Sequence, residues 1–125
     1  MKKVYTSAAP TPAGHYSQAV THNGLVYLSG ILPVSAAGEK RTGSIEDQTK
    51  QVLENMGAIL KAANSDFSLV IKTTVYISDI SLWDRVNEVY AEYFGKSRPA
   101  RSVISAHELH YGFQIEMEAI AAVKE

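Results

Sequence analysis

The sequence predicts an α+β domain, a mixed sheet with two helices on one face. Two stretches repeat apolar residues at helical spacing, one closing at Asn64 and the other at Gly95. Around them lie runs rich in β-branched and aromatic residues that alternate with polar ones, the period of a half-buried strand. The order strand, strand, helix, strand, helix, strand, strand packs as an α+β sandwich. With 125 residues the chain fills the ordinary size of one domain, so 1–125 reads as a single unit.

The opening dozen residues are extended, because Pro10 and Pro12 resist helix and hold the backbone near a surface turn. His22-Asn23-Gly24 separates two apolar runs, and Asn-Gly in that position is a hairpin signal. Leu25 to Val34 is a strand that ends near Gly30 or Pro33, and Ser35 to Gly43 is an exposed loop. Ser44 caps the first helix, with Glu46 and Asp47 meeting the positive end of its dipole. Val52, Met56, Ile59, Leu60 and Ala63 form its buried stripe, and Asn64 supplies a left-handed stop. Leu69 to Ile77 is the clearest strand. A second helix starts near Ser81, buries Leu82, Val86, Val89, Tyr90 and Phe94, and ends at Gly95. Ser102 to Ala106 and Phe113 to Val123 complete the sheet.

The helices cover one face. The other carries Lys72, Thr74, Tyr76, Glu116, Glu118 and Ile120, too polar for a private core and too aromatic and β-branched for an ordinary wet surface. Such a face is expected to meet another subunit. Glu118 would pair with Lys72 across strands.

Charge inside apolar surroundings concentrates near the end of the chain. Arg101 follows a rigid Pro-Ala turn, and its planar fork of donors suits a carboxylate at any working pH. Glu116 and Glu118 point to one side of a strand, while Ile115, Met117 and Ala119 point to the other. Two readings stand: a structural ion pair, or a clamp in which Arg101 holds an anionic substrate while a glutamate handles a water or proton.

Composition narrows the function classes. A formal net charge of −1 gives no pull toward nucleic acid or anionic membranes, and the absence of cysteine removes disulfides, thiol nucleophiles and thiolate metal sites. Met1-Lys-Lys is followed by no apolar run and no segment is long enough to span a bilayer, so a cytoplasmic protein is expected. His15, His22, His107 and His110 lack metal-ligand spacing, and Gly38 and Gly43 lack the lysine and hydroxyl of a phosphate loop. Trp83, Tyr76, Tyr90 and Tyr93 read as packing.

Gly14-His-Tyr-Ser-Gln-Ala-Val, Tyr27-Leu-Ser-Gly, Asp47-Gln-Thr, Val70-Ile-Lys-Thr-Thr-Val-Tyr-Ile-Ser-Asp, Val86-Asn-Glu-Val-Tyr, Pro99-Ala-Arg-Ser and Ile115-Glu-Met-Glu-Ala-Ile-Ala follow one another in the order and spacing of the RidA/YjgF/UK114 family. The resemblance spans essentially the whole chain. It implies a chorismate-mutase-like fold and a homotrimer with clefts between neighbouring subunits. It also implies hydrolysis of 2-imino acids, such as 2-iminobutanoate and 2-iminopropanoate, to 2-oxo acids and ammonia without cofactor or metal. In that light Arg101 resembles the substrate-carboxylate anchor and Glu116 the residue that orients the attacking water. Tyr16 resembles the aromatic wall, Ser29 and Gly30 a backbone-lined edge, and Asn87 a polar position in or near the cleft. Val103 stands where many relatives have cysteine and where the family uses mainly backbone. His15, Ile31 and His110 depart from the family pattern near the presumed substrate site, and Asn64 replaces a glycine. Two alternatives stay open: a non-catalytic trimer that binds small carboxylic acids, and the endoribonuclease activity ascribed to some relatives, against which the near-neutral charge counts.

Overall fold

The computed structural model describes Met1–Glu125. Ala19–His22 (β2) and Leu25–Ile31 (β3) form the expected hairpin, and Asn23 (φ 51°) and Gly24 (φ 80°) take the left-handed conformations that a tight two-residue turn requires. Lys2–Val4 (β1) adds to β2, so part of the extended opening is a strand.

Helix α1 runs Ile45–Ala62, and Ser44 Oγ accepts the Asp47 N–H at 3.1 Å. Its exit uses Asn64 at φ 59°: the Asn64 N–H bonds back to Lys61 O at 3.1 Å and the Ser65 N–H to Leu60 O at 2.8 Å. That closure satisfies carbonyls a helix end would otherwise leave open. After Val70–Ile77 (β4), a 3₁₀ turn at Ile80–Leu82, capped by Asp79, precedes helix α2 at Trp83–Phe94. The α-helix proper thus begins two residues beyond Ser81, because the Asp79 side chain takes the Ser81 N–H. Ala100–Ser105 (β5) and Ile115–Ala122 (β6) follow.

The sheet order is β1-β2-β3-β6-β4-β5. All neighbours are antiparallel except β4 and β5, which run parallel and are joined through α2. The last strand made, β6, therefore lies between β3 and β4. Thr73, Val75 and Ile77 of β4 and Ile115, Met117, Ala119 and Ala121 of β6 are buried with Val52, Leu53, Met56 and Leu60 of α1 and Val86, Val89 and Phe94 of α2. The opposite set, Thr74, Tyr76, Glu116, Glu118 and Ile120, stays half-exposed and Lys72 exposed, so two helices cover one face and leave the other open. The helices are tied by a bidentate Arg85–Glu46 contact at 2.7 and 2.6 Å, which holds Glu46 down at about 2.

Candidate active site

The Glu116 side is built around a bulge. Pairing passes from Leu28↔Ala119 to Ile31↔Met117, so β3 carries one residue more than β6 across this interval. The extra residue brings Gly30 over Glu116, close enough that a Cβ at position 30 would collide with the carboxylate. It also rotates Ile31 onto the covered face, where its side chain is buried beside Met117. Ile31 consequently meets the cavity behind the bulge and not the Glu116 cleft.

Ser29 anchors the preceding loop: its Oγ donates to Ser17 O at 2.6 Å and its N–H to Gln18 O at 3.0 Å. Buried Gln18 in turn holds Thr6 and Pro10 through backbone bonds of 2.8 to 3.0 Å, fixing residues 6–18 beside β3. Tyr16, Ser29, Gly30, His110, Tyr111 and Glu116 thereby come together around a cleft of about 480 Å³.

Glu116 is half-buried and takes no hydrogen bond or ion pair from its own chain. Burial raises its pKa, the neighbouring Glu118 charge adds to the rise, and His110 partly offsets it. Glu118 accepts the Tyr76 hydroxyl at 2.6 Å, which raises the phenol's pKa by favouring its protonated form. The expected Lys72–Glu118 pair does not form, because the register sets Glu118 opposite Thr74 and Lys72 opposite Ile120.

Arg101 belongs to a different environment. In the parallel pairing it lies level with Thr73, whose hydroxyl is buried on the helix side and bonded to Tyr90 at 2.8 Å. The guanidinium sits 4.7 Å from the Tyr90 ring centre and 5.4 Å from that of Trp83, and its Nη1 donates to Asn87 Oδ1 at 2.9 Å. Tyr90, Trp83 and Asn87 all come from α2, so the helix that packs the core also aims the arginine. Val103, two residues on, is partly buried against the core. Asn87 thus acts as the clamp on Arg101, and no acidic side chain neutralises that cation.

Arg101 and Glu116 therefore lie on opposite faces of the sheet, and the facing pair is not made within one chain. Parity explains this: odd residues of edge strand β5 face the helices, as do odd residues of β6, so even-numbered Glu116 faces away. Tyr111 was not anticipated. Its backbone is left-handed (φ 57°, ψ 19°), and the His110-Tyr111-Gly112 turn just before β6 was the only local signal for it. No cluster of three or more His, Asp or Glu side chains is placed to hold a metal ion, and no helix is long and apolar enough to cross a membrane.

A six-stranded mixed sheet with two helices on one face defines an α+β protein of the YjgF/L-PSP fold, with Arg101 and Glu116 on opposite faces of it. The family described as Endoribonuclease L-PSP matches residues 6–123, and the chain belongs to it, within the RidA/YjgF group that its motifs resemble. A RutC family protein of Pyrococcus horikoshii is 47% identical over 97% of this chain and 98% of its own length. The human 2-iminobutanoate/2-iminopropanoate deaminase is 42% identical over 94% of this chain and 87% of its own. Among solved structures, E. coli TdcF with bound serine superposes with a TM-score of 0.94 at 33% identity, covering 99% of this chain and all of the other.

Proposed function

We propose that this chain is a cytoplasmic, metal-independent hydrolase of small 2-imino acids, including 2-iminobutanoate and 2-iminopropanoate. It works as a homotrimer whose clefts each join the Arg101 side of one copy to the Glu116 side of its neighbour. The observation that carries the reading is the division of charge: a half-buried guanidinium with only a neutral amide as acceptor, and a half-buried carboxylate with no donor, on opposite faces of one chain. Each half has what the other lacks. The name of the human relative supports the reaction class.

In the joined cleft two of the Arg101 N–H donors that Asn87 leaves free bind the substrate carboxylate and set the direction of attack. Water adds to the carbon of the protonated imine, one of its protons passes to Glu116, and a neutral carbinolamine forms. Glu116 returns that proton to nitrogen, the hydroxyl oxygen's electron pair forms the C=O bond as the C–N bond breaks, and the hydroxyl proton leaves with ammonia as ammonium, giving the 2-oxo acid. Burial suits Glu116 to this exchange, because a raised carboxyl pKa brings its proton affinity nearer the working pH.

The test couples an amino-acid dehydratase to timed 2-oxo acid release, with light scattering for the assembly. Arg101→Ala should lose on the order of 2 to 5 kcal/mol of transition-state binding, as for truncation of one partner of a buried charged contact. Arg101→Ala and Glu116→Gln chains refolded together should regain roughly a quarter of wild-type turnover, since in a cyclic trimer one random interface in four keeps both intact side chains. Unchanged turnover in Arg101→Ala, or no recovery in the mixture, sinks the shared site. The serine-bound TdcF structure favours a second reading, a carboxylate-binding trimer without catalysis. Tight calorimetric binding of 2-oxobutanoate with no acceleration of imine loss would select it.

A further inference from the structure

A second cavity, about 360 Å³, lies behind the β3 bulge. Tyr16, Ser29, Gly30, Leu32 and Tyr111 line both it and the Glu116 cleft, so the two spaces share walls. Its far side is apolar, made by Pro10, Pro12, Val34, Ala36, Ala37 and Ile59. No feature of the imine hydrolysis described above uses it, yet its volume falls within the range of small-molecule sites.

Tyr111 stands where the two spaces meet. A tyrosine at φ 57° holds a backbone that non-glycine residues rarely adopt, and such outliers persist only where their surroundings enforce them. Here Lys40 Nζ lies 4.6 Å from the ring centre, Phe113 meets the ring edge-on at 5.8 Å, and His110 packs at 4.9 Å. Tyr111, 53% exposed, thus has its ring contacted on three sides at the boundary of a chamber whose far wall is apolar and which Thr11, Gln18 and Lys40 also line.

We propose that this chamber receives the side chain of the substrate, with Tyr111 as the specificity-determining residue at its mouth. The chain then favours 2-imino acids with extended apolar side chains over the smallest ones. The inference rests on the hydrolase reading for the position of the reacting carbon. The chamber itself is independent of that reading.

The test generates imines from alanine, 2-aminobutyrate, norvaline, norleucine and glutamate with an amino-acid oxidase and follows their loss in competition with semicarbazide. kcat/KM should rise along the unbranched series by up to about tenfold per methylene, the discrimination an apolar pocket offers. Ala37→Phe, in the exposed loop that closes the chamber, should reduce the norleucine-to-alanine ratio by about tenfold or more. A flat or falling series in the wild type, an unchanged ratio in Ala37→Phe, or a glutamate imine that outruns the norleucine imine would each overturn the proposal; the last would make Lys40 the determinant of side-chain choice. If no imine is turned over, the hydrolase reading fails by itself, and calorimetry with 2-oxo acids of the same chain lengths then decides. Affinity that tightens with length upholds the chamber as a ligand subsite, and affinity independent of length overturns it.

Discussion

Strands β4 and β6 present two surfaces that share every backbone hydrogen bond and little else. Toward the helices, Val75, Ile77, Ile115 and Met117 are fully buried. Away from them, Tyr76, Glu116 and Glu118 are only half-covered, and their chemistry is that of carboxylates and a phenol. One residue of shift along the strand moves from the part of the molecule that stabilises the fold to the part that the proposed hydrolysis would use. Substitutions at neighbouring positions should therefore fail in different assays.

The largest expected effect is on the covered side. Met117→Ala should cost about 2 to 5 kcal/mol through lost burial and an unfilled cavity, read as a lowered denaturation midpoint. On the open side, Gly30→Ala should leave the midpoint almost unchanged. It should lower kcat/KM by on the order of a hundredfold, because the new methyl displaces the Glu116 carboxylate from where the proposed hydrolysis needs it. Glu116→Gln should sharpen the contrast by losing the proposed activity without losing stability. The folded-state pKa of Glu116 is raised, so the native protein holds this proton more tightly than the unfolded chain. Stability therefore falls as the pH rises through the window between the two values, and the neutral amide escapes that loss. A thermal melt at pH 7 should show Glu116→Gln equal to or above wild type. Glu118→Gln removes the like charge beside Glu116, so the acid limb of the kcat/KM profile should move to lower pH. The smallest effect belongs to a helix end: Asn64→Gly, at φ 59°, should change stability by no more than a few tenths of a kcal/mol, whereas Asn64→Val should cost about 1 kcal/mol or more.

The sequence made the local devices legible. Asn23-Gly24 turns the hairpin, Ser44 and Asn64 bound α1, Gly95 ends α2, and the alternation in β4 and β6 correctly divides the sheet into covered and open faces. Pairing was less legible, because register and strand order depend on contacts far apart in the chain. Lys72 and Glu118 look like cross-strand partners on one face, but two residues of offset give Glu118 to Tyr76 instead. Arg101 and Glu116 look like a facing pair, but the parallel placement of β5 sends them to opposite sides. The bulge that buries Ile31 shows in the sequence only as Ser29-Gly30, and Asn87 becomes intelligible as the clamp on Arg101 once α2 is seen above β5.

The place of β6 in the sheet has a consequence for how the protein is made. Until Ile115–Ala122 has emerged from the ribosome, β3 and β4 each present an unsatisfied edge where the middle of the sheet belongs. The nascent chain must wait for β6 before any continuous core can close, which favours slow, late and all-or-none folding. Deleting β6 would not merely shorten this molecule; it would remove its keystone.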